Sequence, residues 1–342
     1  MDNFQSNTCL IDWLRFSIPN SDIQFVAEHI LGIQITEFDN EGQRSPFPTY
    51  DIRHSFASIE IHLSDKHSNV LVNLSGKACR QYEEYMSQSS GWHWHSFIKS
   101  ILSNNANPSR IDLALDIFDE TTPHVSKIQD YVKRGQLSSR SQIFKEINSG
   151  RVLDGILTGF TLYIGSHPQL LRIYDKKQEI RDNTDEIINI TKWIRWELEL
   201  GDSKAKEVCK LISEGKPLNV IIKGILAGHY AFKTQPKGKK DFHNKARWNN
   251  MKWWDNFIYG IPKISIRVTK AKTTLKEKKN WIEKSTTKSR AMIYEVYKQA
   301  YGTEFADAYL REELNLGHSK LTDLDRTMIT QRVNELLGEE KI

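Results

Sequence analysis

The sequence predicts an α+β fold: a largely antiparallel sheet with one charged catalytic face, helices packed on the other, and a helical C-terminal portion. Three observations carry that prediction. Short runs of β-forming residues alternate apolar and charged positions with period two. Turn residues separate successive runs by only a few positions, as antiparallel hairpins require. Beyond residue 200 the apolar spacing becomes helical.

The elements follow in chain order. Cys9–Ile18, Ser58–Leu63 and Asn69–Leu74 read as strands, and the turn-forming Asp65-Lys-His-Ser-Asn69 joins the last two. Ser75-Gly76 caps a helix that continues through Arg80–Met86, and a second helix covers Trp92–Ser103 before the Asn104–Pro108 loop. Arg110–Phe118 places Ile111, Leu113, Leu115 and Ile117 on one face and Arg110, Asp112 and Asp116 on the other. Phe160–Gly165 and Leu171–Lys176 flank a hairpin loop, Ser166-His-Pro-Gln169. Trp193–Leu200 sets Ile194, Trp196, Leu198 and Leu200 against Arg195, Glu197 and Glu199. One further strand is expected at Lys263–Val268. Thr274-Leu-Lys-Glu277 is a capping box opening a helix through Lys284, and helices at Ser289–Ala300 and Leu324–Leu337 follow. No repeat of fixed period occurs. The expected division is a sheet-based domain at 1–232 and a basic, mostly helical portion at 233–342.

Composition narrows the function classes. With 39% apolar and 27% charged residues the chain is globular. No apolar run approaches the ~18 residues of a membrane span. The N-terminus lacks the basic and apolar regions of a secretory signal. Cys9, Cys79 and Cys209 stand far apart, which argues against disulfides and points to a reducing cytoplasm. Charge is unevenly placed. Lys233–Arg290 holds 17 lysines and arginines against four acids, a net +13, so within a total of +5 the remainder carries −8. That asymmetry suits one segment that meets a polyanion and another part that holds a cation; a solvated basic surface is the alternative.

Two constellations could carry chemistry. If the strands bearing Asp112, Asp116, Glu197 and Glu199 are neighbours, their carboxylates converge and must be neutralised. A divalent cation would do this, Mg²⁺ or Mn²⁺ for all-oxygen ligands; so would a salt-bridge ladder with Arg110, Arg172 and Arg195. In the second, Tyr163 shares a face with Thr161 and Gly165, and Arg172, Tyr174 and Lys176 share a face on the next strand. A phenol ionises near pH 10, so cations beside it would favour phenolate attack on a phosphodiester; packing is the commoner role of a strand tyrosine. Gly165 would let a phosphate backbone approach closely. His93-Trp-His95 has the spacing of a strand-borne metal pair, but its surroundings read as a helix start, where positions i and i+2 diverge. Lys245, Arg247 and Lys252 interleave with Trp248, Trp253, Trp254, Phe257 and Tyr259, a pattern for single-stranded DNA or for a hydrophobic corner. Lys276, Lys278, Lys279 and Lys284 on one helix suit duplex phosphates. No GxxxxGK[ST] loop is present, so an ATP-driven helicase is not expected.

Taken in order, Arg110-Ile-Asp-Leu-Ala-Leu-Asp116, Thr161-Leu-Tyr-Ile-Gly-Ser166, Leu171-Arg-Ile-Tyr-Asp-Lys176 and Arg195-Trp-Glu-Leu-Glu199 resemble the replication initiation factor family of rolling-circle plasmids. That family includes conjugative-element relaxases and filamentous-phage replication proteins. Asp12-Trp13, Leu74-Ser-Gly-Lys77 with Arg80, and Lys276–Trp281 extend the likeness over roughly residues 8–300. The resemblance implies a metal-dependent strand transferase that nicks and rejoins origin DNA, leaving a 5′-phosphotyrosine link and a free 3′-OH. It places the nucleophile on Tyr163, with Tyr174 in reserve. Metal falls on Asp112 and Glu197, then Asp116 and Glu199, and the scissile phosphate on Arg110, Arg172, Lys176 and Arg195. It further implies a homodimer, a host helicase and polymerase as partners, and origin recognition by the basic C-terminal third. The basic, tryptophan-rich stretch near Lys233–Tyr259 departs from the shorter plasmid initiators. A conjugative relaxase with the same chemistry, and a non-catalytic DNA-binding regulator on the same scaffold, are the competing expectations.

Overall fold

The period-two segments pair, as alternation between an apolar and a charged face demands, into one ten-stranded antiparallel sheet. The computed structural model describes residues 6–39, 41–87, 91–183, 190–236, 244–264, 266, 275, 278–279, 282–283 and 286–339. In chain order the strands are β1 (Thr8–Ile18), β2 (Gln43–Arg44), β3 (Ile52–Phe56), β4 (Ile59–Leu63), β5 (Val70–Leu74), β6 (Asn107–Ile117), β7 (Leu137–Ser139), β8 (Phe144–Gly150), β9 (Leu157–Ser166), β10 (Gln169–Asp175), β11 (Ile194–Gly201) and β12 (Tyr230–Phe232). The sheet runs β2-β3-β4-β5-β1-β6-β11-β10-β9-β8, and β12 pairs with β7 in a separate two-stranded sheet. The strands read from sequence before residue 201 all form, and β6 and β11 lie side by side near the centre.

Helices cover the apolar face. They are α1 (Gly76–Met86), α2 (Trp94–Ser103), α3 (Val125–Lys133), α5 (Asp202–Ser213), α6 (Leu218–His229) and α7 (Lys252–Phe257), whereas α4 (Lys176–Asn183) borders the charged face. The spacing of Ala205, Val208, Cys209 and Ile212 gives α5 one buried stripe, and it packs on β6 with α6 beside it. Ile111, Leu113, Leu115, Ile194, Trp196, Leu198, Leu171 and Ile173 form the sheet's side of that core.

Contacts divide the chain into units at 1–268 and 269–342, not at the expected boundary after residue 232. The reason is the tryptophan-rich segment. Trp254 is fully buried, and the ring of Trp196 lies 6.1 Å from Trp254 and 5.4 Å from Phe257. That segment is the hydrophobic corner, while Arg247 and Lys252 stay exposed. The strand expected at Lys263–Val268 does not form over its described residues, 263, 264 and 266. Instead the Ile264 amide donates to the Gly224 carbonyl at 2.8 Å. In the second unit α8 (Thr287–Tyr301) and α9 (Thr303–Ser319) pack through Tyr297, Tyr301, Phe305 and Tyr309, followed by α10 (Asp323–Glu339). α9 was not legible in the sequence, and the helix expected over 274–284 falls largely outside the described residues.

Gly165 is required by the fold itself. Its φ is +95°, and a Cβ there would meet the Gln169 carbonyl oxygen and Ser141 Oγ at 2.8 Å each. Gly165→Ala should therefore cost about 2 kcal/mol in denaturant unfolding with no DNA present. An unchanged midpoint would show that the left-handed backbone and close packing at Gly165 carry no such requirement.

Candidate nucleic-acid nicking site

The site is built on neighbouring strands whose registers set charge against charge. Across β10 and β11, Arg172 stands opposite Glu197 and Tyr174 opposite Arg195. Across β11 and β6, Glu199 faces Asp112 and Arg195 faces Asp116. Two carboxylates directly opposite would repel, so arginines must bridge them. Arg172 Nη2 lies 2.8, 3.0 and 2.9 Å from the carboxylates of Asp112, Glu197 and Glu199. Arg110 donates to both oxygens of Asp112 at 2.9 and 2.7 Å and reaches Glu199 at 2.9 Å. Arg195 clasps Asp116 in a two-pronged bridge of 2.7 and 2.8 Å. Asp112, Asp116, Arg195 and Glu197 are all buried, so each charge depends on its partners.

β1 adds a residue to this face by a bulge. The register passes from Ile11↔Leu113 to Trp13↔Asp112, leaving Asp12 as the extra residue. A bulge re-aims side chains, and here the Asp12 carboxylate reaches Arg195 Nη1 at 3.2 Å. The Arg110 guanidinium covers the Trp13 ring at 4.2 Å.

An open cleft of about 740 Å³ lies over the charged face. Asp12, Tyr163, Arg172, Lys176, Arg195 and Glu197 line it, and so do Lys77 and Arg80 at the start of α1. Tyr163 is half-buried, and its hydroxyl has no hydrogen-bond partner among the described residues. Its cross-strand neighbours are Arg172 on β10 and Lys145 on β8. Tyr174 differs. It is 9% exposed and its hydroxyl donates to Glu197 Oε2 at 3.0 Å. Burial, then the Glu197 charge, drive its ionisation far above that of a free phenol. Burial also lifts the Glu197 carboxyl to about 7; Arg172 opposes the rise and nearby Asp12 adds to it. Burial works against the Arg195 charge, but the Asp116 bridge outweighs it and raises the guanidinium pKa.

A family profile described as "Replication initiation factor" matches residues 106–312. The chain belongs to the replication initiation factor family. A second profile, "Rolling Circle replication initiation protein N-terminal domain", matches residues 8–100 of this initiation factor. It is 24% identical over 320 residues to the putative DNA relaxase NicK of Bacillus subtilis (strain 168), covering 92% of this chain and 89% of that one. Its fold is similar to a solved rolling circle replication initiator protein from Geobacillus stearothermophilus. The TM-score is 0.65 at 22% identity, over 77% of this chain and 100% of that one.

The initiation factor brings together Arg110, Asp112, Asp116, Tyr163, Arg172, Tyr174, Lys176, Arg195, Glu197 and Glu199, all from its first unit. Lys176 pairs with Glu179 at the head of α4. The expected DNA-contacting residues are scattered instead. Lys245 is half-buried beside Gly135, while Arg247 and Lys252 lie exposed around α7. In the second unit Lys278 pairs with Asp325 at 3.3 Å and Lys279 with Glu283 at 3.6 Å. Lys276 and Lys284 lie outside the described residues. His93 is the N-cap of α2 and not part of a strand; its extended backbone brings its ring 5.5 Å from that of His95, so the two do not diverge as expected.

Of the two ways to neutralise the acids, the arginine ladder is the one formed. All four expected metal ligands, Asp112, Asp116, Glu197 and Glu199, lie within 3.0 Å of a guanidinium nitrogen, and no cluster of three or more His, Cys, Asp or Glu able to hold a metal occurs among the described residues. Glu197 and Asp12 are the carboxylates that line the cleft close enough to repel. They fit Mg²⁺ or Mn²⁺, which are held by one or two carboxylates together with water and substrate phosphate oxygens. Asp12 was not singled out as a ligand from the sequence. Its signal is the slip in alternation along β1, where buried Ile11 is followed by buried Leu14, Phe16 and Ile18.

Proposed function

We propose that this replication initiation factor nicks and rejoins origin DNA by transesterification, with Tyr163 as nucleophile. One observation carries the reading: a tyrosine hydroxyl without a hydrogen-bond partner among the described residues stands in an open cleft between Arg172 and Lys145, beside a carboxylate pair suited to a divalent cation. In the forward step the Tyr163 oxygen bonds to phosphorus as its proton passes to solvent. The bond from phosphorus to the 3′-oxygen breaks, and that oxygen leaves as a hydroxyl. A 5′-phosphotyrosine and a primer end remain, and reversal rejoins the strand. Arg172, with Lys145 and Lys176, neutralises charge that grows on the phosphoryl oxygens. Arg110 and Arg195 hold Asp112 and Asp116 in place beneath. Mg²⁺ or Mn²⁺ at Asp12 and Glu197 would polarise the scissile phosphate. A free 3′-OH suits extension by a host polymerase with a separate helicase. We further assign origin recognition to the basic residues from Lys245 onwards, and dimerisation to the C-terminal helices.

The test is wild-type protein on single-stranded DNA carrying a candidate origin hairpin, with Mn²⁺ or EDTA, resolved on a denaturing gel. A metal-dependent covalent adduct is expected. No adduct on a verified origin would favour a non-catalytic DNA-binding regulator. A transfer origin cleaved in place of a replication origin would make the protein a conjugative relaxase.

The metal assignment has a readout apart from activity. Glu197 is raised from 4.5 to about 7 in the fold, so the native state binds the extra proton between those values. Its contribution to stability is therefore lost as pH rises through about 7. Glu197→Gln should match wild type near pH 5 and exceed it by up to about 3 kcal/mol at pH 8.5. Mn²⁺ should raise the wild-type melting temperature at pH 8.5, and raise it less in Glu197→Gln and Asp12→Asn. Equal shifts in all three would remove metal from these residues.

A further inference from the structure

A second polar pocket opens where the β9–β10 hairpin meets α5 and α6. Its volume is about 330 Å³, and Arg140, Ser141, Gln169, Lys204 and His229 line it. No aspartate or glutamate is among its lining residues, and neither Arg140 nor Lys204 makes an ion pair among the described residues. The nearby Asp202 carboxylate is turned to His167 Nε2 at 2.8 Å. Lys204 sits in the first turn of α5, where the helix dipole disfavours a cation and favours an anion.

The neutral groups are arranged as donors. Lys204 Nζ donates to Gln169 Oε1 at 2.6 Å, fixing the amide. Gln169 is 5% exposed, its Nε2 makes no hydrogen bond among the described residues, and the Tyr230 hydroxyl lies beside the same amide. Ser141 Oγ lies 3.1 Å from His229 Nε2. Burial, then Lys204 and Arg140, push the His229 imidazole down to about 4, so at neutral pH it adds a donor or acceptor and no charge. The half-buried Lys204 ammonium and the exposed Arg140 guanidinium, neither ion-paired among the described residues, flank the Gln169 amide and leave a place for an oxyanion.

We propose that this pocket is a phosphate-binding site, separate from the Tyr163 cleft, that holds one phosphate oxyanion between Lys204 and Arg140 with the Gln169 amide and Ser141 hydroxyl as further donors. The phosphate comes from a DNA backbone or from free phosphate in solution. The pocket opens at the β9–β10 hairpin end, with Gln169 on the helix-covered face of the sheet, opposite the face that carries Tyr163.

The experiment uses the full chain and labelled single-stranded DNA, titrated from about 50 to 200 mM salt. Lys204→Gln should weaken binding several-fold and reduce the log K against log salt slope by about 1. Arg140→Gln must reproduce this, since its side chain is exposed and its loss cannot disturb the core. Lys204→Arg should retain binding, and Lys206→Gln, exposed on the same helix, should leave the slope unchanged. In a second arm, melting temperature is compared in inorganic phosphate and in chloride at matched ionic strength. A reduced slope without a phosphate-specific rise assigns the pocket to the DNA backbone. A phosphate-specific rise that both variants lose, with the slope intact, assigns it to free phosphate. If neither readout changes, or Lys204→Gln acts and Arg140→Gln does not, the two-cation site is overturned. None of these readouts depends on which tyrosine reacts.

Discussion

Tyr163→Phe is expected to abolish the covalent protein–DNA adduct, lowering the nicking rate by about 10⁴-fold or more, while reversible DNA binding stays within about twofold. Removing a nucleophile removes the only atom that can bond to phosphorus, so its loss is larger than that of any positioning group. Tyr174→Phe should leave the adduct and cost about tenfold at most. Its hydroxyl donates to Glu197, and loss of that bond unsettles a carboxylate without removing the attacking oxygen. The two hydroxyls are separable because their surroundings differ: one is open to the cleft with no partner among the described residues, the other is buried against an acid. An adduct that vanished in Tyr174→Phe and survived in Tyr163→Phe would move the nucleophile to β10 and leave the reaction class standing.

The largest effect on stability is expected at Arg195. It is 6% exposed, and it answers both oxygens of Asp116, itself 2% exposed, as well as Asp12. Arg195→Met leaves Asp116 charged and unpartnered in the sheet, which should cost about 3–5 kcal/mol in denaturant unfolding. Adding Asp116→Leu removes the stranded charge and should recover more than half of that loss. A double variant no more stable than the single one would show that packing of the guanidinium stem, and not charge pairing, is what the site requires. The C-terminal helices provide an internal contrast. Arg290 and Glu313 meet at 3.3 Å on an exposed surface, and breaking that pair should cost no more than about 1 kcal/mol.

Much of the sheet was legible because its faces are chemically distinct. In Arg110–Ile117 and Ile194–Leu200 the alternation of acid or arginine with Ile, Leu and Trp fixes which side of each strand is buried, and pairing β6 with β11 brings the charges together. The ten residues grouped in this way lie together in the fold. Their choice of partner was not legible. Whether Asp112 meets a metal or Arg172 depends on register, and register is set by hairpins and neighbours far along the chain. Asp12 was passed over for a related reason, since a bulge appears in sequence only as a slipped phase. The tryptophan-rich segment misled the domain boundary because basic residues interleaved with aromatics describe a DNA surface and a helix with one buried side equally well. Trp254 and Phe257, three residues apart, take the buried side of α7.

The arginine ladder has a consequence for how tightly the reacting phosphate is held. Arg172 already touches three carboxylates, and Arg195 two. An incoming phosphodiester therefore meets balanced pairs in place of unspent positive charge. It wins a guanidinium only by displacing an acid, so its gain is the difference between two similar ion pairs. Such a centre discriminates poorly between free and joined strand ends, and grips neither. In the proposed reaction, which must cut, wait and later reseal, an even-handed centre would keep the equilibrium between broken and mended backbone close to balance and leave residence on the origin to other surfaces of the protein.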